Sequence, residues 1–149
     1  MTSYETKRKN VRKWISSYIE KVFADAGRYG HLFERHINQD ASRICERCAR
    51  EHENISSFYG KADEVINLLY VTLMESADEI ADWLADDTDD QDWVIYGDFR
   101  NDHVKGKIFL YSGNHNWDDG PLECSEFSIV LAKLHHANGF KIRSCYPVY

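Results

Sequence analysis

The stretch EFSIVLAKLHHANGFKIRSCY at positions 126–146 decides the fold class of this chain. Two apolar runs, Glu126–Leu134 and Phe140–Tyr146, flank the pair Asn138-Gly139. Such a pair between two apolar runs is a strong signal of a β-hairpin, because Asn and Gly tolerate the positive φ angles of its tight turn. Upstream, Trp93–Tyr96 and Gly106–Tyr111 show the same strand-like composition. The C-terminal part of the chain is therefore predicted to form adjacent antiparallel strands.

The N-terminal part has a helical periodicity instead. Residues 4–26 place apolar side chains three and four positions apart, and glycines at Gly27 and Gly30 mark the end of this first helix. Lys61–Ala85 is the clearest helix, with apolar residues on one side and acidic residues on the other. Helices followed by adjacent strands are typical of an α+β domain in which N-terminal helices pack on a C-terminal antiparallel β-sheet.

The region between these two helices is less regular. His31–Cys48 predicts a second helix that is broken near Asn38, after which Asp40 or Ser42 is the candidate N-cap. Ile55–Phe58 is expected to be a turn or a short extended piece.

The bulk properties predict one domain over residues 1–149. A chain of 149 residues with 43% hydrophobic composition can bury a core of its own, and it contains no linker-like tract or internal repeat. No apolar run approaches the roughly 18 residues that a membrane span needs. The basic N-terminus is not followed by a hydrophobic stretch, so no signal peptide is expected in this chain.

The net charge of −7 is unevenly distributed. Residues 1–60 carry +3 (11 Lys and Arg against 8 Asp and Glu), whereas residues 61–149 carry −10 (7 against 17). A polyanion such as RNA would be repelled by the acidic half and would approach the basic half or a local pocket. The acidic stretch between Lys61 and Arg100 contains no other Lys or Arg. It has two interpretations, a solvated helix face with its loop or a docking surface for a basic partner.

The sequence predicts neither a metal nor another cofactor. Cys45 and Cys48 form a Cys-x-x-Cys pair, but a structural zinc site needs a second ligand pair at short spacing, and Cys124 and Cys145 lie far apart. His31 and His36 are five residues apart, which is not a same-face spacing on a helix. Reduced thiols and one or two disulfides remain equally open for the four cysteines.

The motifs of several enzyme classes are missing. The chain contains no P-loop, no G-x-G-x-x-G, no H-E-x-x-H and no G-x-S-x-G. Histidine, arginine, hydroxyl and phenol groups remain, and such a set is sufficient to cleave RNA. That reaction needs a base for the 2′-hydroxyl, an acid for the leaving 5′-oxygen, and hydrogen-bonding or cationic groups for the charged phosphorane.

The order of short motifs resembles the bacterial ribonuclease A-like toxin domain found at the C-termini of contact-dependent growth-inhibition and other polymorphic toxins. The resemblance covers about residues 28–147, after the first helix at 1–27. The matching pieces are GHLFERHI at 30–37, an arginine eleven residues after His36, ISSF at 55–58, the helix 77–84 with Trp83, the turn from Gly97 to Gly106, and IRSCYP at 142–147.

This resemblance implies four active-site residues, His36, Arg47, Ser144 and Tyr146. Serine stands where the family has threonine, which keeps the hydroxyl and loses a methyl group. His36 is the expected base for the 2′-hydroxyl or acid for the leaving group, Arg47 the phosphate-binding group, Ser144 a hydrogen-bond donor and Tyr146 a second proton-transfer group or an orienting group. Strand alternation puts Ser144 and Tyr146 on one face and turns Cys145 away.

Further residues are expected to support the site or to bind RNA. They are His31, Arg35, Arg43, Lys141 and Arg143, together with Trp117 as a residue that stacks on a base. Each of these residues, and each of the four implied active-site residues, also has an ordinary structural interpretation. Arg47, for example, is equally placed to pair with Glu46 or Glu51 on a helix surface.

Two functions from different classes follow. The leading one is a metal-independent ribonuclease toxin that acts in the cytoplasm of a target bacterium on RNA, with tRNA among the candidate substrates, and that is inhibited by a cognate immunity protein. Its products would be a 2′,3′-cyclic phosphate and a 5′-hydroxyl. The alternative is a non-enzymatic immunity or antitoxin protein whose binding surface is the acidic run Glu75–Asp92. A ribonuclease scaffold that has lost its activity is a third possibility.

Overall fold

The computed structural model describes residues 2–25, 35–100, 103–111, 117–135 and 137–149, and these residues form an α+β fold. The helices in these ranges are α1 (Ser3–Ala24), α2 (Ala41–Glu51), α3 (Ala62–Glu75) and α4 (Ala77–Ala85). The strands are β1 (Ile55–Tyr59), β2 (Trp93–Asp98), β3 (Lys105–Phe109), β4 (Leu122–Cys124), β5 (Glu126–Lys133) and β6 (Phe140–Val148). The predicted fold class is confirmed.

The strands form two antiparallel three-stranded sheets. The first has the order β1-β3-β4 and the second the order β2-β5-β6. The sheets meet where β6 packs against β1 and β3. Gly106 of β3 lies there against Pro147 of β6, in a place where any side chain on residue 106 would collide with that proline. This junction brings the end of the chain close to the segment before β1.

One short element settles an open alternative, and two others differ from or were absent from the prediction. Ile55–Phe58 was expected to be a turn or a short extended piece, and the extended alternative is confirmed, since Ile55–Tyr59 is a strand paired with β3. The long helix predicted over Lys61–Ala85 is divided into α3 and α4 at Ser76, whose backbone leaves the helical conformation. The short strand β4 had no signal of its own, because three residues cannot show an alternation.

Helix α2 begins later than the periodicity suggested. Asp40 is its N-cap and accepts a hydrogen bond from the Ser42 amide at 2.9 Å, so one of the two predicted caps is confirmed. Residues 35–40, which precede the cap, are not helical. The earlier part of the predicted second helix falls at 31–34, outside the described residues.

Helix α1 covers the inner face of the second sheet together with α3 and α4. A capping box formed by Thr2 and Glu5 starts it. Its buried stripe, made of Val11, Ile15, Ile19 and Val22, joins the main core. Each fully buried aliphatic side chain of this kind contributes roughly 1.5–3 kcal/mol of hydrophobic free energy. A second, smaller core of Ile44, Cys48, Ile55 and Phe109 fixes α2 to the first sheet.

The turn between β5 and β6 is attached to α1. Gly139 has φ +147°, a conformation that L side chains rarely adopt, so glycine is required there. The hydroxyl of Tyr18 on α1 donates to the Phe140 carbonyl at 2.7 Å and accepts from the Phe140 amide at 2.9 Å. The predicted Asn-Gly hairpin is thus confirmed, and α1 fixes its position.

Much of the acidic stretch is paired with cations of the same chain. Asp82 binds Arg12 at 2.9 Å, and Asp92 binds Arg143 at 3.0 Å. Further pairs join Lys7 to Asp87, Arg8 to Asp82, and Arg100 to Glu75. The interpretation of this stretch as a simply solvated face is therefore incomplete, since it also holds α1 against α4. None of the helices in the described ranges is long and apolar enough to cross a lipid bilayer.

Candidate active site

A cleft of about 410 Å³ opens where α2, β1 and β6 meet. Its walls come from three segments of the chain: the residues before α2, the stretch from α2 into β1, and the end of β6. The lining residues are Arg35, His36, Arg47, Glu51, Glu53, Asn54, Ile55, Ser56, Ser144 and Tyr146. The four residues implied by the family resemblance, His36, Arg47, Ser144 and Tyr146, are thus brought together although 110 positions separate the first from the last.

His36 is held by main-chain pairing with β1. The Phe58 amide donates to the His36 carbonyl at 2.5 Å, and the Asn38 amide donates to the Phe58 carbonyl at 2.7 Å. Between these two bonds, Ile37 and Phe58 form a parallel bridge. The buried hydroxyl of Ser57 donates to the His36 carbonyl at 3.1 Å. Ser57 of β1 therefore helps to place the histidine.

The tautomer of His36 follows from its hydrogen bond. Its Nδ1 lies 3.0 Å from the carbonyl oxygen of Ser56. A carbonyl oxygen only accepts hydrogen bonds, so Nδ1 carries the proton. In the neutral ring Nε2 is then the unprotonated nitrogen, with a lone pair for proton abstraction.

The electrostatic surroundings keep His36 neutral. Burial lowers the pKa of His36 below its ordinary value of 6.5, and the nearby charges of Arg47 and Arg35 lower it further. The hydrogen bond to Ser56 acts in the opposite direction without reversing the shift. A neutral imidazole at neutral pH is the protonation state that a general base requires.

Arg47 is largely buried at the edge of the cleft, with 12% of its side chain exposed. Its Nη1 donates to the carbonyl oxygen of Arg35 at 3.1 Å, and its Nε lies 3.5 Å from the Glu51 carboxylate. The same carboxylate lies 3.4 Å from Arg35, whose side chain is 63% exposed. One carboxylate therefore lies within 3.5 Å of two guanidinium groups in the cleft lining.

A β-bulge sets the direction of Ser144 and Tyr146. Val130 pairs with Ser144, whereas the next residue, Leu131, pairs with Ile142, so Arg143 is an extra residue in β6. Beyond the bulge, Ser144 and Tyr146 line the cleft while Cys145 is fully buried in the main core. The expected orientation of Cys145 away from the site agrees with this placement, and burial raises the pKa of its thiol far above the ordinary value.

Tyr146 and His36 are neighbouring rings in the lining of the cleft. Their ring centroids are 6.1 Å apart and the planes are tilted by 42°. An imidazole and a phenol are thus close together in a cleft that the Arg47 guanidinium also lines. This arrangement provides a base, a second proton-transfer group and a cation, which are the parts that metal-independent RNA cleavage needs.

Several residues expected to support the site lie elsewhere. Arg143 pairs with Asp92 at 3.0 Å and lines a different groove. Arg43 and Lys141 are exposed and are not among the cleft residues. Of the arginines expected in or near the site, Arg35 and Arg47 line the cleft, together with two glutamates that the prediction had not placed there.

Trp117 does not lie in the cleft either. Its ring packs on the small core of α2 and the first sheet, 6.2 Å from the Tyr111 ring, which explains its position better than stacking on a nucleobase does. His31 lies outside the described residues. The four cysteines, all within the described ranges, are free thiols.

Sequence reasoning missed Glu53, Asn54 and the Ser56 carbonyl as parts of the cleft. Glu53 and Asn54 belong to no motif, because their place follows from the turn that connects α2 to β1, and the ISSF piece at 55–58 gave no sign that the main-chain carbonyl of Ser56 would face the histidine. Glu51 had a signal: it stands four residues after Arg47 on a helix, the spacing of an ion pair. That pair was the alternative interpretation of Arg47, and it is present in the structure alongside the placement in the cleft.

Comparison with known proteins bears on the fold. No protein-family model matches the chain, and no curated protein matches it. Among solved structures, a chain in the crystal structure of the CdiA-CT/CdiI complex from Y. kristensenii 33638 has a similar fold, with a TM-score of 0.63 and 16% sequence identity. The match covers 80% of this chain and 99% of that chain. At this level of identity the likeness shows a shared fold, and the chemistry must be argued from the site.

Proposed function

We propose that this protein is a metal-independent endoribonuclease that cleaves RNA by transesterification. The observation that carries the proposal is the convergence of His36, Arg47, Ser144 and Tyr146 on one cleft, with His36 Nδ1 bound to a main-chain carbonyl. The RNA supplies its own nucleophile, the 2′-hydroxyl, so the protein needs only to move protons and to stabilise charge.

The reaction assigns one step to each group. His36 Nε2 takes the proton of the 2′-hydroxyl as its oxygen attacks phosphorus, and the bond from phosphorus to the 5′-oxygen breaks. Tyr146 donates a proton to that leaving oxygen. The Arg47 guanidinium and the Ser144 hydroxyl bind the non-bridging oxygens, whose charge grows in the phosphorane. The products are a 2′,3′-cyclic phosphate and a 5′-hydroxyl, and exchange with water returns both proton-transfer groups to their starting states.

The resting cleft accounts for how an acidic protein can bind a polyanion. Glu51 occupies the two guanidinium groups before substrate arrives. A phosphate is a bidentate partner of arginine, as a carboxylate is, so substrate binding exchanges one anion for another around Arg47. The local exchange leaves the overall charge of −7 as a weak repulsion at long range.

The biological setting of the proposal is bacterial competition. The shared fold with a chain of a CdiA-CT/CdiI complex supports a role in contact-dependent growth inhibition. In that role the domain would act in the cytoplasm of a target bacterium, on tRNA or another RNA, and a cognate immunity protein would block it. The same likeness also fits the alternative role as an immunity-type binding protein, and the convergence of His36, Arg47, Ser144 and Tyr146 on one cleft is what favours the enzyme.

The deciding experiment incubates total RNA with the wild type and with His36→Ala in EDTA, followed by analysis of the RNA ends. We expect the wild type to produce 2′,3′-cyclic phosphates and the variant to lose roughly 10²- to 10⁴-fold in rate, the usual contribution of a general base. His103→Ala is the matched control, because His103 is 71% exposed and lies outside the cleft. An intact His36→Ala activity, or no cleavage by the folded wild type, would contradict the proposal.

A further inference from the structure

The face of the second sheet that carries Ser144 and Tyr146 continues beyond the cleft. Tyr146 of β6 pairs with Ser128 of β5, and Ser128 pairs in turn with Tyr96 of β2. Residues that pair directly in antiparallel strands project from the same side of the sheet. Tyr96, Ser128 and Tyr146 therefore form one row across the sheet, and their side chains lie on the face opposite the main core.

A second row runs beside the first. Ser144 pairs with Val130, and Val130 pairs with Val94. The two rows end on β2, which is an edge strand of its sheet. Ser144 and Tyr146, which line the cleft, thus lie at one end of the two rows, and Val94 and Tyr96 lie at the other end.

The outer end of this surface is unusually apolar for exposed positions. Tyr96 is 64% exposed and Val94 is 37% exposed, and both belong to the few large hydrophobic side chains that are exposed in the described part of the chain. The remaining large residues of β2 face the core or its edge. Val94 and Tyr96 are two positions apart on the same face of β2 and form a small exposed apolar patch beside the cleft, a surface that suits a ligand with a flat apolar face.

Ser128 supplies an independent observation between the two tyrosines. Its side chain is 1% exposed, and its hydroxyl has no hydrogen-bond partner among the described residues. The hydroxyl is covered, so a ligand on this face would not contact it directly. Ser128 therefore marks the covered middle of the row, and the exposed ring of Tyr96 and the cleft residue Tyr146 lie on either side of it.

We infer that this face is a binding path for single-stranded RNA and that Tyr96 stacks on a nucleobase next to the cleavage point. The inference rests on the proposed function and adds a nucleobase subsite to it. Two strand spacings of about 4.8 Å place Tyr96 roughly 10 Å from Tyr146, within reach of the nucleotide that neighbours the scissile phosphodiester. Stacking on an exposed aromatic ring is tolerant of sequence, because every base has a π-face.

The charges at the borders of the face give the path a direction. Lys141, which is exposed, pairs with Ala132 and lies on this face beyond the bulge. Asp98 and Glu126 pair with each other at the opposite end and are both exposed. Phosphates are attracted to the first end and repelled from the second. The RNA backbone is therefore expected to cross the sheet on the Lys141 side of Tyr96.

The test measures binding and cleavage separately in the full chain. A single-stranded hexadeoxynucleotide lacks the 2′-hydroxyl and serves as a probe that binds without being cut, with its Kd measured by fluorescence anisotropy. We expect Tyr96→Ala to weaken binding by about fivefold or more, which is the lower end of the stacking contribution, and Tyr96→Phe to keep it. Tyr4→Ala is the matched control, because Tyr4 is a 40% exposed tyrosine on α1.

Cleavage kinetics distinguish this inference from the proposed function. Tyr96→Ala should raise KM for an RNA hexanucleotide and leave its kcat near the wild-type value. Unchanged Kd and KM in Tyr96→Ala would overturn the subsite even if the wild type is an active ribonuclease, and would leave Tyr96 to a protein partner. If the wild type binds the probe through Tyr96 but cuts no RNA, the binding face stands and the proposed chemistry falls.

Discussion

Among the hollows in the described part of the molecule, two are lined by many side chains of both charges and differ in what those side chains do. The larger is a groove of about 880 Å³ between α1, the aspartate-rich loop that follows α4, and the β5–β6 turn. The smaller is the cleft of about 410 Å³ that holds His36. In the groove, Lys7 is paired with Asp87 and Arg143 with Asp92, so each of these cations joins two parts of the fold.

Lys133 shows the structural role of the groove most clearly. Its ammonium group donates to the carbonyl oxygens of Asp86 and Asp89 and lies 5.4 Å from the centre of the Trp83 ring. In the cleft, by contrast, an imidazole, a guanidinium, a hydroxyl and a phenol from distant segments face one space. As a criterion for a candidate active site, we therefore rank several different reactive side chains around one space above the volume of a hollow or the number of its charges.

Substitution of one arginine in each hollow gives the largest test of this contrast. We expect Arg47→Ala to lower kcat/KM for RNA by roughly 10²- to 10³-fold, because it removes a preorganised cation from the developing phosphorane charge. Arg143→Ala in the groove should leave kcat/KM near the wild-type value, although both arginines are ion-paired. Arg47→Lys should recover only part of the loss, since an ammonium group cannot bind phosphate in bidentate fashion.

Equal losses in the two alanine variants would remove the distinction between the hollows. Thermal unfolding of each variant serves as the control, because Arg47 also donates to the Arg35 carbonyl and its loss affects the local fold.

The parts of the fold that depend on local patterns could be predicted from the sequence. The Asn138-Gly139 hairpin and the Asp40 cap follow from the chemistry of two or three neighbouring residues. The division of the predicted helix at Ser76 could not be predicted, because both α3 and α4 continue the same apolar pattern and only packing against α1 and β2 separates them.

The candidate site shows the same limit. Family resemblance was sufficient to select His36, Arg47, Ser144 and Tyr146, which line one cleft. Simple alternation put Ser144 and Tyr146 on one face but could not reveal the bulge at Arg143, because a register shift is fixed by the partner strand. Arg143, which was expected to support the site, is the extra residue of that bulge and lines the groove instead.

A single carboxylate offers a smaller and more specific test of the cleft. Glu51→Gln removes the negative charge shared by Arg47 and Arg35. We expect KM for RNA to fall by about two- to fivefold, the scale of an exposed ion pair, and to depend more steeply on salt because more cation is available to phosphate. The matched control is Glu46→Gln on the same helix, which is 72% exposed and pairs with Arg50 outside the cleft.

A KM that rises in Glu51→Gln would show the opposite role for this carboxylate, namely holding Arg47 in its working position. The exchange of Glu51 for a substrate phosphate would then be wrong, while the assignment of Arg47 to the phosphate would stand.

The smallest expected effect concerns pH. Since His36 must be unprotonated to act as a base and its pKa lies below 6.5, kcat/KM should stay on its plateau through neutral pH and fall only at pH values below 6.5. Stability follows the same direction: in the unfolded chain the imidazole binds a proton more readily, so acidification from about pH 6.5 through the folded pKa favours unfolding. Above that range His36 contributes no pH dependence to stability.

Arg35→Gln isolates the contribution of charge to this pKa. Arg35 is one of the cations that lower the pKa of His36, so its removal should move the acidic limb of the pH profile to higher pH. Arg50→Gln is a close control, since the two side chains are 63% and 61% exposed and each lies 3.4 Å from a glutamate. If the acidic limb shifts equally in both variants, or if it persists in His36→Ala, the titrating group is not His36. The general base of the cleft would then be another residue.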